Sequence, residues 1–352
     1  MKISTVLVLL LCTIFFSCEK EDTSPVSSIP VTTVAYSFDS DANSKLMFKD
    51  GDLLQTMTSE SLRYEIGKVL RVKAINETTI EIANFAPVDI QDATILLIIE
   101  GQAKPIKLFK ISKIRAHGVQ EIKYPFIENI NIFLDTDNKE VDLSHYKTTG
   151  IAPGKVSFDF TGETDLIKKL KSLAKLKWKV KYHDFDPNDD PTNNWKENID
   201  AKDIRRFSGF IINMAYLLQA DNTMKTFAEE PIYDNNGVMM TVEQKKAALQ
   251  KMIDIPMVNC GVVVNVSGLG GGYTYGLANH VLNDYLTQDP SFITIHEMAH
   301  MIGFSHSSSM TYPSKENMGA TVAAGRVYLQ MLKNNEFPIK VSNYYMPSDL
   351  SK

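Results

Sequence analysis

Apolar positions follow two different periods along this chain. Between Val31 and Gly150 they come in short runs or in loose alternation. Ala93-Thr94-Ile95-Leu96-Leu97-Ile98-Ile99 is a run of strand length, and Ile106 to Ile114 and Val119 to Phe126 alternate. Glu100-Gly101 and His117-Gly118 punctuate them as turns. Short strands at regular spacing, with no long helical pattern, predict a β-rich region over 31–150 built as a sandwich. Past Ile151-Ala152-Pro153-Gly154, read as a boundary, helical spacing takes over. Asp165 to Lys177 is basic and amphipathic, and Leu176 to Phe185 reads as a strand. In Ala201 to Leu218 the residues Ile204, Phe207, Phe210, Ile211, Met214 and Leu217 recur at three and four, the spacing of one helix face. Val242 to Met252 predicts a shorter helix, Gly261 to Val266 a buried strand, and Ala320 to Lys333 a helix. A glycine cluster, Gly268-Leu269-Gly270-Gly271-Gly272, follows that strand. The order predicts an α+β fold for 151–352, and no internal repeat is present.

The N-terminus reads as an address. Lys2 precedes an apolar run, Val6 to Phe16, too short to span a bilayer and suited to a signal peptide. The run ends at Phe15-Phe16-Ser17-Cys18, which resembles a bacterial lipobox. That resemblance implies removal of residues 1–17, a lipid on Cys18 and anchoring to the outer membrane. Residues 18–30, rich in Ser, Pro, Asp and Glu, form a linker. The acidic Glu19 to Asp22 resembles a surface-export signal. With Cys12 inside the signal and Cys18 lipidated, Cys260 remains alone among three cysteines, so no intrachain disulfide can form. Beside Val262 to Val264 it reads as a buried core thiol. The β-rich region vaguely resembles bacterial immunoglobulin-like modules over Ile75 to Ile98. It serves as a spacer or as a removable pro-region. His117 and His145 read as surface or turn histidines.

The chain has 352 residues, 44% hydrophobic and 22% charged, with a formal charge of -5. That length suits two domains, and the mild charge gives no reason to expect nucleic acid or an anionic membrane surface as a partner.

The chemistry concentrates in His296-Glu297-Met298-Ala299-His300-Met301-Ile302-Gly303-Phe304-Ser305-His306. Two histidines four apart on a helix share one face and can share a metal. Glu297, next to the first ligand, is placed as a base beside the metal. Asp289-Pro290-Ser291 predicts the helix start, with Ser291 or Asp289 as cap, and Phe292, Ile293 and Ile295 are expected to bury the helix. Gly303 ends it in a left-handed turn that brings His306 back.

This pattern resembles the metzincin zinc peptidases, which include matrixins, astacins and serralysins. The resemblance implies Zn²⁺ on His296, His300 and His306 and Glu297 as general base. Ser309-Met310-Thr311-Tyr312-Pro313 resembles the methionine turn of that family. By that resemblance Met310 floors the site, and Tyr312 is a fifth ligand or a donor to the oxyanion. Only Ser307, Ser308 and Ser309 separate His306 from Met310, a shorter link than family members carry; Met318, the other candidate, lacks a following tyrosine. The Gly268 to Gly276 stretch resembles the glycine-rich loop and edge strand that precede the active-site helix in matrixins, and such an edge could receive an extended peptide. The implied function is a monomeric zinc endopeptidase acting on extracellular or surface protein. The alternative is a binding lipoprotein with a structural or inactive zinc site. Asp186, Asn188, Asp190 and Glu197 echo a calcium loop, but Pro191 stands where glycine is needed, so they read as a solvated acidic loop. His183 and His280 lack ligand-spaced partners.

Overall fold

A computed structural model of the chain describes residues 33–34, 44–183 and 194–350. Cys18, with the signal and linker around it, and the acidic loop Asp186 to Asp190 lie outside the described residues. The first region supplies β1 (Thr33–Val34), β2 (Lys45–Leu46), a short helix α1 (Leu54–Met57), β3 (Tyr64–Glu65), β4 (Leu70–Ala74), β5 (Thr79–Asn84), β6 (Ile90–Ile99), β7 (Ile106–Ile114), β8 (Gly118–Lys123), β9 (Ile132–Asp135) and β10 (Glu140–Asp142). Then come β11 (Val156–Thr161), α2 (Asp165–Ser172), β12 (Lys179–Tyr182), α3 (Ala201–Gln219), α4 (Asp221–Glu229), α5 (Val242–Ile253), β13 (Met257–Val263), β14 (Gly268–Gly271), β15 (Thr274–Ala278), α6 (Asn279–Asp284), α7 (Ser291–Met301) and α8 (Ala320–Lys333). The fold is α+β, with three sheets among the described residues.

Two sheets belong largely to the first region. One runs β10-β9-β7-β6-β11 with β1 on β7, and the other runs β2-β8-β5-β4. The apolar run at 93–99 forms the C-terminal part of β6, where Ala93, Ile95 and Leu97 are wholly buried. The third sheet runs β14-β15-β13-β12-β3; its centre is parallel, and the glycine-rich β14 is antiparallel at one edge.

The expected boundary at Ile151 to Gly154 is crossed in both directions. The Pro-Gly signal marks a single turn, Pro153–Lys155, that leads straight into β11. β11 pairs with β6 from Val156 opposite Ile99 to Thr161 opposite Thr94. In return β3 pairs with β12, Tyr64 opposite Val180. Each crossing strand covers an edge that would otherwise expose unpaired backbone groups. Val31 to Lys352 accordingly form one compact unit.

Capping fixes the helices behind the third sheet. Asp200 and Asp203 close a capping box on α3, and Thr241 and Gln244 close one on α5. From α3 the wholly enclosed Arg205 reaches three places at once. Its Nε and Nη2 donate to the Asp349 carboxylate, both at 2.7 Å, and its Nη1 donates to the Phe48 carbonyl at 2.7 Å and to Asp50 at 2.8 Å. One guanidinium thus fastens the first region, helix α3 and the last described turn.

His117 corrects one expectation. It does sit in a turn, with a left-handed φ of 52°, but it is wholly buried rather than on the surface. Its ring meets Phe48 edge-on at 5.5 Å, and neither ring nitrogen has a hydrogen-bond partner. Burial, helped by the Arg205 charge, pushes its pKa down to about 3. His145 is exposed. Cys260 is buried in β13, where burial raises its thiol well above the usual range.

Candidate metal centre

Helix α7 begins between the two expected caps, Asp289 and Ser291. Ser291 is already helical, Pro290 occupies the cap position without a side-chain bond, and Asp289 Oδ1 accepts the Ser291 N–H at 2.9 Å. Ile295, Met298 and Ala299 face the core, but Phe292 does not. It is 50% exposed, because it lies one turn before His296 on the same stripe. The expectation that Phe292 buries the helix is therefore replaced: Phe292 walls the cleft into which the histidines point.

The helix ends as a Schellman turn. Gly303 N–H bonds to the His300 carbonyl at 3.1 Å and Phe304 N–H to the Ala299 carbonyl at 3.0 Å. Gly303 has φ +95°, with open space around it. Its requirement is thus the left-handed backbone alone, not room for a missing side chain.

The reversal that Gly303 permits brings three imidazoles together. One ligand nitrogen from each of His296, His300 and His306 lies within 4.8 Å of the others. The Nε2 atoms of His296 and His300 stand 3.0 Å apart. His296 Nδ1 lies 3.1 Å from the Thr311 carbonyl, and His300 Nδ1 lies 2.7 Å from the Phe304 carbonyl. A carbonyl only accepts, so both Nδ1 atoms are the protonated donors, and Nε2 is the atom each of these rings turns to the other. Burial and the neighbouring imidazoles push His296 down to about 4, which keeps it neutral.

Such a donor set fits a cation. Two ring nitrogens 3.0 Å apart share either a proton or a metal ion between them. Nitrogens on one tetrahedral ion at about 2.1 Å are about 3.4 Å apart, within the span seen here. Three imidazoles suit zinc and neighbouring divalent metals.

The short link after His306 is stitched rather than strained. Ser308 Oγ donates to the Tyr233 carbonyl at 2.6 Å and accepts the Met310 N–H at 3.0 Å. Ser309 exchanges two bonds with Tyr233, through its own N–H and through its hydroxyl. Thr311 Oγ1 donates to the Ser305 and Ser308 carbonyls. Met310 is wholly buried, whereas Met318 is partly exposed. Tyr312 is 44% exposed, with its ring 4.5 Å from His296 and 5.1 Å from His306.

Glu297 is 7% exposed and sits under β14. The two glycines facing it have no room for a side chain. A Cβ on Gly268 would lie 2.5 Å from Glu297 Oε1, and one on Gly270 would lie 2.2 Å from the Glu297 carbonyl oxygen. Burial pushes the Glu297 carboxyl up to about 7, against the lowering effect of a backbone hydrogen bond from Gly270. A cleft of about 690 Å³ opens beside these groups, walled by Val266, Leu269, Phe292, Ile293 and Tyr312. Among the described strands β14 pairs only with β15, so its other edge is unpaired.

Sequence reading named the three histidines, Glu297, Gly303, Met310 and Tyr312, and the fold brings all seven to one place. It missed the Thr311 and Phe304 carbonyls that orient the rings, and the hairpin around Asn235. Asp234-Asn235-Asn236-Gly237 is a legible turn, but nothing local says that it braces residues some seventy positions later. Comparison of the chain with protein-family models, with curated proteins and with solved structures found no match.

Proposed function

We propose that this chain is a zinc-dependent endopeptidase with a metzincin-like catalytic region, preceded by an immunoglobulin-like region and tethered to the outer membrane through Cys18. One observation carries the reading. Three converging imidazoles stand beside a buried carboxylate, at the floor of an open cleft with an unpaired strand edge. A purely structural site has no use for that carboxylate and closes its fourth position.

His296, His300 and His306 would hold the ion through Nε2 or its equivalent. When bound, zinc supplies Lewis acidity that polarises a scissile carbonyl and acidifies water. Glu297, enclosed under β14 beside the three imidazoles, takes the proton from water and passes it to the leaving amine. The free edge of β14 holds an extended peptide by main-chain hydrogen bonds. The Tyr312 phenol, at the rim beside two of the histidines, donates to the oxyanion. The substrates are extracellular or surface proteins.

The test is cleavage of casein and of a peptide library by the full chain, with and without chelator. Wild type should cleave, chelator should abolish cleavage, and Glu297→Gln should bind zinc yet leave the substrates intact. Cleavage that persists in Glu297→Gln removes the mechanism. Zinc binding with no cleavage of any substrate replaces it with a binding lipoprotein whose metal is structural.

A further inference from the structure

The three ligands do not owe their positions to the same thing. His296 and His300 inherit theirs from α7. His306 is exposed and stands in a loop without regular structure. Something else must fix it.

The hairpin Tyr233 to Met239 is in place to do so. Its strands meet at a bridge between Tyr233 and Met239. Asp234 Oδ1 locks the turn by accepting the N–H groups of Asn236 and Val238, both at 2.9 Å. On this frame Asn235 faces the reversal. Its Nδ2 donates to the Gly303 carbonyl at 3.1 Å. Its Oδ1 accepts the Ser305 N–H at 2.8 Å and the Ser305 hydroxyl at 3.2 Å. Its own carbonyl accepts the Ser307 hydroxyl at 2.8 Å. The bonds thus fall on the residue before His306, on the residue after it, and on the glycine that starts the reversal. An amide is the one side chain of this size that donates at one end and accepts at the other.

We infer that Asn235 is the positioning residue for His306, holding the third imidazole in ligand geometry before the metal arrives. The inference rests on the metal-centre reading above. Without the clamp, the metal itself would have to order the loop, and that ordering cost appears as weaker affinity.

The experiment measures zinc affinity of the full chain by competition with a chromophoric chelator. Asn235→Ala should weaken binding by about 10–100-fold, the usual effect of losing an outer partner of a metal ligand. Asn236→Ala, whose side chain is not part of the clamp, should bind as wild type does. The visible spectrum of the Co²⁺-loaded protein should change in Asn235→Ala, reporting altered ligand geometry. In a His306→Ala background, adding Asn235→Ala should cost nothing more, because the clamp acts only through the ligand it holds. Wild-type affinity in Asn235→Ala overturns the inference. So does an equal loss of affinity in the His306→Ala background, which would mean the amide merely stabilises the fold. If wild type itself binds no zinc, the metal-centre reading falls as well.

Discussion

Two neighbouring glycines should fail in different ways. A Cβ on Gly270 would lie 2.2 Å from the Glu297 carbonyl oxygen and 2.7 Å from its Cα. Both are backbone atoms of a helix anchored in the core, so no rotamer change relieves the clash. Ordinary contact begins near 3.4 Å, so β14 and α7 must separate by about 1 Å. Overpacking of this kind costs about 3 kcal/mol, and a 1 Å displacement at a reacting group costs about 100-fold in rate. A Cβ on Gly268 meets side-chain atoms instead, Glu297 Oε1 at 2.5 Å and Cγ at 2.7 Å. The carboxylate can turn away, at about 1 kcal/mol for an off-rotamer torsion, but it then leaves the position a base needs. Gly270→Ala should therefore lose both stability and activity, while Gly268→Ala should lose activity and keep most of its stability. Urea unfolding of the metal-free chain gives the first quantity, and turnover of a fluorogenic peptide gives the second. Wild-type stability in Gly270→Ala, or wild-type turnover in Gly268→Ala, would refute the claim that β14 is glycine-rich in order to seat against Glu297.

Other perturbations test separate parts of the structure. Gly303→Val should weaken zinc binding, because a β-branched residue at φ +95° costs about 1–3 kcal/mol even where space is open; unchanged affinity in a chelator competition would sink this. His117 is neutral in the fold down to about pH 3, whereas an unfolded histidine protonates near 6.5. The unfolded state therefore binds the extra proton between those values. Stability should fall as pH drops through that window, by about 1.4 kcal/mol per unit from this group, and urea titrations of His117→Asn should show a shallower slope. Asp349→Ala removes the buried carboxylate that takes two of the Arg205 bonds, leaving the guanidinium only the exposed Asp50 and the Phe48 carbonyl, and should cost about 3 kcal/mol, read as a lower midpoint in thermal unfolding; a midpoint within 1 °C of wild type would be incompatible with the clamp as described.

Much of the local structure was legible because it is written in local signals. The α8 helix spans Ala320–Lys333 as its apolar spacing predicts, and α3 ends one residue past the expected Leu218. The buried strand expected at Gly261 to Val266 is shifted to Met257–Val263, because Met257 to Cys260 pair with β12. Strand exchange across Ile151 was illegible for a general reason. A Pro-Gly turn looks the same whether the chain leaves a sheet or returns to one. His117 was misjudged because a histidine before glycine signals a turn, and nothing local reports that Phe48 and Arg205 enclose it. The convergence of His296, His300 and His306 was readable since a helix face and a glycine fix most of its geometry. The carbonyls and the hairpin that hold them were not, because hydrogen bonds between distant segments leave no periodic trace.

The interleaving of β3 and β11 has a consequence for inheritance. A chain whose two halves each lend a strand to the other cannot be passed on as cassettes. A recombination junction anywhere between Tyr64 and Thr161 separates at least one borrowed strand from its sheet. Exchange within that span therefore breaks a strand pair, and the two regions must stay matched to each other. The same geometry argues against release of residues 31–150 as a pro-segment, since excision would strip β3 from the sheet whose far edge seats Glu297.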